Sequence, residues 1–170
     1  MNRSPSAIPT APTVAREPYD DDGPRWVVAQ AEAEMVERYG ELDDGELGLT
    51  AAMFDPPNGA FLVARRGDAD GPPLGGVGVR AIHPGMGQIR RLWVEPGSRG
   101  HGVARALMAG IEGAARELGL TDLRLGTGDR QPEAVALYES TGWERVLVGK
   151  DGRPVPPRHI WFVKQLGPKP

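Results

Sequence analysis

The chain has 170 residues, 39% of them hydrophobic, which is enough for one domain with a full core. Its formal net charge of −3 speaks against a general nucleic-acid or polyanion binder, which would be basic overall. It holds no cysteine, so disulfides, Cys-based zinc sites and a Cys nucleophile are excluded.

The three histidines, His83, His101 and His159, are far apart and match no metal motif, so no metal is expected. No apolar run approaches transmembrane length, and the N-terminus lacks the apolar core of a signal peptide. The expectation is a cytoplasmic protein that binds neither nucleic acid nor a membrane.

Residues 1–12 are rich in Ser, Pro and Ala and read as a disordered tail; the domain is expected over 13–166, with a short tail at 167–170. Thr13 to Arg16 reads as a first strand. Asp20, Asp21 and Asp22 precede a helix from Pro24 to about Tyr39, with an apolar stripe of Val28, Ala31, Met35 and Tyr39. Gly40 ends it, and a second short helix is expected around Glu46 to Met53. Ala60–Ala64, Leu74–Ile82 and a segment ending at Val94 read as three strands of an antiparallel meander, separated by Gly/Pro turns.

The helix from Val103 to about Leu118 has the clearest period in the chain: Val103, Ala106, Leu107, Gly110, Ile111, Ala114 and Leu118. Asp122–Leu125 follows as a buried strand, expected parallel to the strand ending at Val94 through this helical crossover. A short helix then carries Tyr138, with Pro132 in its first turn and Gly142 past its end. Strands near Arg145–Val148 and His159–Gln165 close the domain.

The stretch Gln88 to Ala104, QIRRLWVEPGSRGHGVA, concentrates the functional signal. A strand turns at Pro-Gly-Ser and passes through Arg99, Gly100, His101, Gly102, Val103 and Ala104 straight into a helix. The first N–H groups of a helix lack internal partners and carry dipolar positive character, so this loop can cradle an anion. Arg99 adds charge beside it, and Arg90, Arg91 and Arg105 extend a local positive group suited to a phosphate-bearing ligand. A Walker A loop would need Gly-Lys-Ser/Thr, which is absent, and a dinucleotide fingerprint would need a small residue where Arg105 stands.

The segment Arg99–Ala104 resembles the Q/R-x-x-G-x-G/A signature of the GNAT family of N-acetyltransferases. A second segment, QPEAVALYESTGW, is similar to the family's N-x-x-A-x-x-L-Y-x-x-x-G-F/W block: Ala134, Leu137, Tyr138, Gly142 and Trp143 match, and Gln131 stands where Asn is usual. PPNGAFLVARR also resembles small bacterial members, and the likeness covers roughly 51–166. It implies a mixed α/β fold with a twisted, mostly antiparallel sheet flanked by helices, which agrees with the order of elements read above.

The resemblance implies acyl transfer from acetyl-coenzyme A to an amine. The backbone of Leu92, Trp93 and Val94 would pair with the pantetheine arm as an added strand does. The amides of Arg99, Gly100, His101, Gly102, Val103 and Ala104 would hold the pyrophosphate with Arg105, and Gln131 and Ala134 would flank the coenzyme. The Val94 N–H would polarise the thioester carbonyl. Tyr138 would protonate the leaving thiolate; a phenol of ordinary pKa is protonated at neutral pH and can donate.

The sequence departs from its relatives where the amine must lose a proton. Gln88 and Gly126 align with the two positions at which many members carry Glu, and neither an amide nor a glycine is a base. Three readings stay open, in this order. The amine arrives neutral or loses its proton through water; Glu95 or Asp129 serves instead; or the protein binds acyl-coenzyme A without catalysis. The acceptor would be a small amine or amino-acid-like molecule lying between the N-terminal helices and the Arg145–Gln165 strands, with a protein N-terminus or lysine as the lower-ranked alternative. Trp26, Tyr39, Trp143 and Trp161 are more readily core residues than pocket walls. A homodimer is compatible with the sequence, which identifies no interface.

Overall fold

The computed structural model describes residues 11–42, 47–149, 151–155 and 158–167. Among these residues seven strands form one sheet: β1 (Thr13–Arg16), β2 (Gly59–Arg65), β3 (Pro73–His83), β4 (Met86–Val94), β5 (Asp122–Gly128), β6 (Glu144–Val146) and β7 (His159–Gln165). Their order is β1-β2-β3-β4-β5-β7-β6, so β7 inserts between β5 and β6. Only β4 and β5 run parallel, joined by helix α2 (Val103–Glu117); every other pair is antiparallel. The expected meander and crossover are thus both present, with β5 longer than its apolar core suggests.

Helix α1 (Asp22–Tyr39) lies on one face of the sheet, and α2 with α3 (Pro132–Ser140) on the other. The α2 face holds the larger core: Leu107, Met108 and Ile111 pack on Leu62, Val77, Val79, Ile89, Leu123 and Leu125, and Tyr138, Trp143 and Phe162 extend it under α3. The heptad-like spacing of α2 supplies this buried stripe. The α1 face is smaller, built on Val27, Ala31, Phe54, Phe61, Val63 and Trp93. The expected α1 stripe is therefore shifted. Val27 and Ala31 face the core, whereas Met35 and Tyr39 reach past the sheet toward β5.

The glycines of β3 let this second core close. A Cβ at Gly78 would sit 2.7 Å from Phe54 Cδ1 and 3.0 Å from Phe61 Cδ2, so aromatic rings occupy the space that β3 leaves bare. Phe54 in turn stacks on Tyr19 with centroids 4.8 Å apart. Where a second short helix was expected, Ala51–Met53 makes a single 3-10 turn, and Glu46 lies outside the described residues. The tails expected at 1–12 and 167–170 fall mostly outside them too. Val148, expected in a strand, forms only an isolated bridge to Pro154.

Two irregularities of β4 shape the rest. Gly76 pairs with Trp93 but Gly78 pairs with Arg90, so β4 carries one extra residue at this point. That bulge contains Arg91, whose φ of 62° is the only positive value at a non-glycine among the described residues. Secondly, β4 pairs with β5 only at Met86, Gly87 and Gln88, opposite Asp122, Leu123 and Arg124. Beyond that point the two strands part.

Leu107, fully buried between α2 and the sheet, tests the larger core. Leu107→Ala is expected to cost about 2–5 kcal/mol in equilibrium urea unfolding.

Candidate active site

The parting of β4 and β5 opens a cleft of about 420 Å³. Ile89 to Val94 form one wall and Leu125, Gly126 and Thr127 the other. The α2 N-terminus (Ser98, Arg99, Gly100, Gly102, Val103, Ala104, Arg105) closes one end, and Gln131, Ala134, Leu137 and Tyr138 of the α3 region line the side. Of the residues assigned from sequence to catalysis or coenzyme binding, all but His101 border this one cleft. His101 is exposed, its ring nitrogen 3.0 Å from the Arg99 carbonyl oxygen.

The open edge of β4 presents backbone groups. Glu95 N–H donates back to Leu74 O on β3 at 2.7 Å. In an antiparallel ladder the neighbouring residue then turns its own N–H and C=O the other way. Val94 therefore faces the cleft. Its carbonyl accepts the Arg99 Nε–H at 2.9 Å, and its N–H remains directed into the opening.

Gly102 caps α2 at φ 81°, with Gly100 at φ 79°, and among the described residues no side chain caps the first helical amides. A Cβ at either glycine would meet nothing within 4 Å. The glycines are needed for their backbone angle, and the space beside them stays open for a ligand. The uncapped amides, the open strand edge and the cleft between them fit the phosphates and amide-bearing arm of a coenzyme A ester.

Tyr138 projects from α3 and is 5% exposed, its ring against Phe162 and Trp143 at centroid distances of 5.4 and 6.1 Å. Burial pushes its phenol well above the ordinary value, because the phenolate would lose its hydration. The hydroxyl consequently stays protonated across the physiological range.

Sequence reasoning missed the α1 wall. Glu34 borders the cleft and is held on three sides: Arg99 Nη2 donates to it at 2.6 Å, Trp93 Nε1 at 2.7 Å and Arg38 Nη2 at 2.6 Å. Burial alone would raise its carboxyl, but the hydrogen bonds from Arg99, Arg38 and Trp93 outweigh it and hold it below the usual carboxylate value. Arg38 continues the chain to Glu133 in the first turn of α3 and to the Arg130 carbonyl. The Arg99 charge is thus shared with a resident carboxylate. The available signal was the i,i+4 spacing of Glu34 and Arg38, which no motif marks as functional.

Neither fallback base lines the cleft. Glu95 accepts the Ser98 hydroxyl at 2.6 Å, and Asp129 is exposed. Gln88 is 4% exposed, and its amide oxygen accepts Arg80 Nε and Nη2 at 3.0 and 2.8 Å. Gly126 lies under Trp161, whose ring carbons would be 3.0 Å from an added Cβ. Trp26, Tyr39 and Trp143 do not line the cleft either: Trp26 packs edge-on to Trp93, Tyr39 lies under Arg130, and Trp143 is core. Among the described residues no cluster of His, Asp or Glu could hold a metal, and no helix is long and apolar enough to cross a membrane.

Comparison with known proteins agrees with this architecture. The model of the Acetyltransferase (GNAT) family matches residues 17–143. An IAA acetyltransferase of Azospirillum brasilense is 35% identical over 136 residues, spanning 77% of this chain and 83% of that protein. A mycothiol acetyltransferase of Cellulomonas flavigena is 33% identical over 142 residues, 76% of this chain but 39% of that one. Among solved structures, a GNAT-family acetyltransferase of Staphylococcus aureus Mu50 superposes with a TM-score of 0.71 at 14% identity, covering 92% of this chain and 99% of that one. A phosphinothricin acetyltransferase of Sinorhizobium meliloti, solved with AcCoA, gives 0.65 at 19% identity over 93% of this chain and 90% of that one. A split sheet with an uncapped helix N-terminus at its mouth, together with these matches, makes the chain a member of the GNAT acetyltransferase family. It is an acyl-coenzyme A-dependent N-acetyltransferase, and acetyl-coenzyme A is the acyl donor that its family uses.

Two variants test the site. Gly102→Val forces a β-branched residue into the left-handed region at about 1–2 kcal/mol, so coenzyme binding measured by calorimetry is expected to weaken. Glu34→Gln should lower the melting temperature at neutral pH. A carboxyl with a depressed folded pKa contributes fully above its ordinary value of 4.5 and loses that contribution as pH falls through the depressed one. The gap between wild type and Glu34→Gln is therefore expected to close on acidification.

Proposed function

We propose that the protein moves an acetyl group from acetyl-coenzyme A to the primary amine of a small, amino-acid-like molecule by direct attack, with Tyr138 as general acid. One juxtaposition carries the reading. A cleft between open strand edges holds the inward Val94 N–H, the uncapped α2 amides and a buried phenol together.

The α2 amides at Gly102, Val103 and Ala104, with Gly100, Arg99 and Arg105, hold the pyrophosphate. Arg105 is braced for this by its 2.9 Å hydrogen bond to Ser140 Oγ, and Gln131 and Ala134 complete the wall. The coenzyme supplies a thioester whose carbonyl gains negative charge as the amine attacks. The Val94 N–H, preorganised on the strand edge, stabilises that charge. Leu92 and Trp93 present backbone to the pantetheine arm. Tyr138 gives its proton to the departing sulfur, and burial keeps that proton available well into alkaline solution.

The two carboxylates on the cleft wall, Glu34 and Glu133, are already engaged by Arg99, Trp93 and Arg38 and are not free to take a proton from the amine. The Gln88 oxygen is engaged by Arg80, and the Gly126 position is roofed by Trp161. Arg80, Gln88 and Arg124 pair side by side across three strands. Neighbouring positive charge disfavours an ammonium, so a nearby amine is biased toward its neutral, nucleophilic form. The amine passes its proton to water.

Thiol release from acetyl-coenzyme A, measured against amines, amino acids and peptides, tests the proposal. Tyr138→Phe is expected to lower kcat by about 10²–10⁴ while coenzyme binding persists. The rate should climb with pH to the pKa of the acceptor itself and then stay level, because the acid remains protonated beyond the ordinary tyrosine value of 10.0. Coenzyme binding with no release from any acceptor would favour a non-catalytic acyl-coenzyme A sensor. Release with peptides alone would favour protein acetylation.

A further inference from the structure

We propose that the acceptor carries a carboxylate near its amine, and that Arg124, braced on Trp161, binds it. This rests on the N-acetyltransferase reading and deepens it.

The placement follows from strand register. Arg80 pairs with Gln88, Gln88 with Arg124, and Arg124 with Val163, so all four side chains share one face of the sheet. The next row on that face holds Arg90, Gly126 and Trp161. The Gln88–Arg124 pair is the last before β4 and β5 separate, so Arg124 stands just past the closed end of the cleft, next to its lining residues Ile89 and Leu125. The opposite face of β5 and β7 is filled by Leu123, Leu125 and Phe162 beneath Tyr138 and Trp143. On the Arg124 face, α1 covers β2, β3 and β4, while Gly126 and Val163 are exposed. A molecule approaching the end of the cleft away from α2 therefore meets this face.

Its chemistry is one-sided. Arg124 is half-buried, its guanidinium carbon 5.9 Å from the centroid of the Trp161 ring. Its Nε–H is buried without an acceptor, and among the described residues no carboxylate pairs with it. A buried guanidinium N–H without a partner is rare enough to require an explanation. Beside it, the Gln88 oxygen is turned to Arg80, which can only donate, so the Gln88 NH₂ occupies the other branch of the amide. Arg124 and Gln88 thus offer donors and no acceptor within one strand spacing. A planar carboxylate matches the fork of a guanidinium lying over an indole ring, whereas a second ammonium on the acceptor would be repelled.

The test uses matched acceptors: an α-amino acid, its methyl ester and its decarboxylated amine, each assayed for thiol release at saturating acetyl-coenzyme A. The wild type is expected to prefer the acid in kcat/KM by about 10- to 100-fold, the range of a charge-assisted pair. Arg124→Gln should abolish that preference, and Arg124→Lys, which keeps the charge but not the fork, should restore part of it. Equal rates for acid, ester and amine, or a preference that survives Arg124→Gln, would overturn the inference. If no acceptor reacts, the transferase reading fails by itself. Calorimetry with the non-reactive deaminated acid on coenzyme-loaded protein then decides the carboxylate site. Binding lost in Arg124→Gln supports it, and no binding to the wild type overturns it.

Discussion

The separation of β4 from β5 is the constraint on which the rest depends. A parallel pair that stayed in register would have no cleft, no free backbone on either strand and no gap at the mouth of α2. The pairing stops after Gln88 and Arg124, and the Arg91 bulge lies just beyond, adding a residue and a local twist to β4. A positive φ at arginine is unfavourable and persists only where its surroundings enforce it. Here the side chain is 4% exposed and its Nη1 donates to Glu32 of α1 at 2.7 Å, so the helix that covers β4 also holds its bulge.

Much of this was legible in the sequence, for local reasons. The α2 period, the glycines before it and the turn residues between strands act through near neighbours, and each mapped onto the element expected. Tyr138 and the Arg99–Ala104 loop were visible as spacings within one short segment each. What stayed hidden depends on residues distant in the chain. The insertion of β7 between β5 and β6 leaves no local mark. Nor does the bulge, since nothing in the run Arg90-Arg91-Leu92 signals an extra residue. Glu34 reads as an ordinary solvated helix residue until folding brings Arg99, 65 positions away, within 2.6 Å.

That contact changes the meaning of the charge at the cleft. From sequence, Arg99 is a free cation beside the helix N-terminus. In the structure its Nε secures the Val94 carbonyl and its Nη2 is engaged by Glu34. The anion-binding character of the loop therefore resides more in the uncapped α2 amides than in the arginine. Glu34, Arg38 and Glu133 also tie α1 to α3, so the two helices bordering the cleft are linked by charge on its rim.

The packing of Trp161 over Gly126 sets an order on change. A side chain introduced at position 126 alone would bring its Cβ to 3.0 Å from two indole carbons, so the ring would have to shift by a few tenths of an ångström. Shortening Trp161 alone would strip Arg124 of its platform. Positions 126 and 161 are therefore coupled, because the indole that lies beneath Arg124 also takes up the room that a side chain at 126 would need.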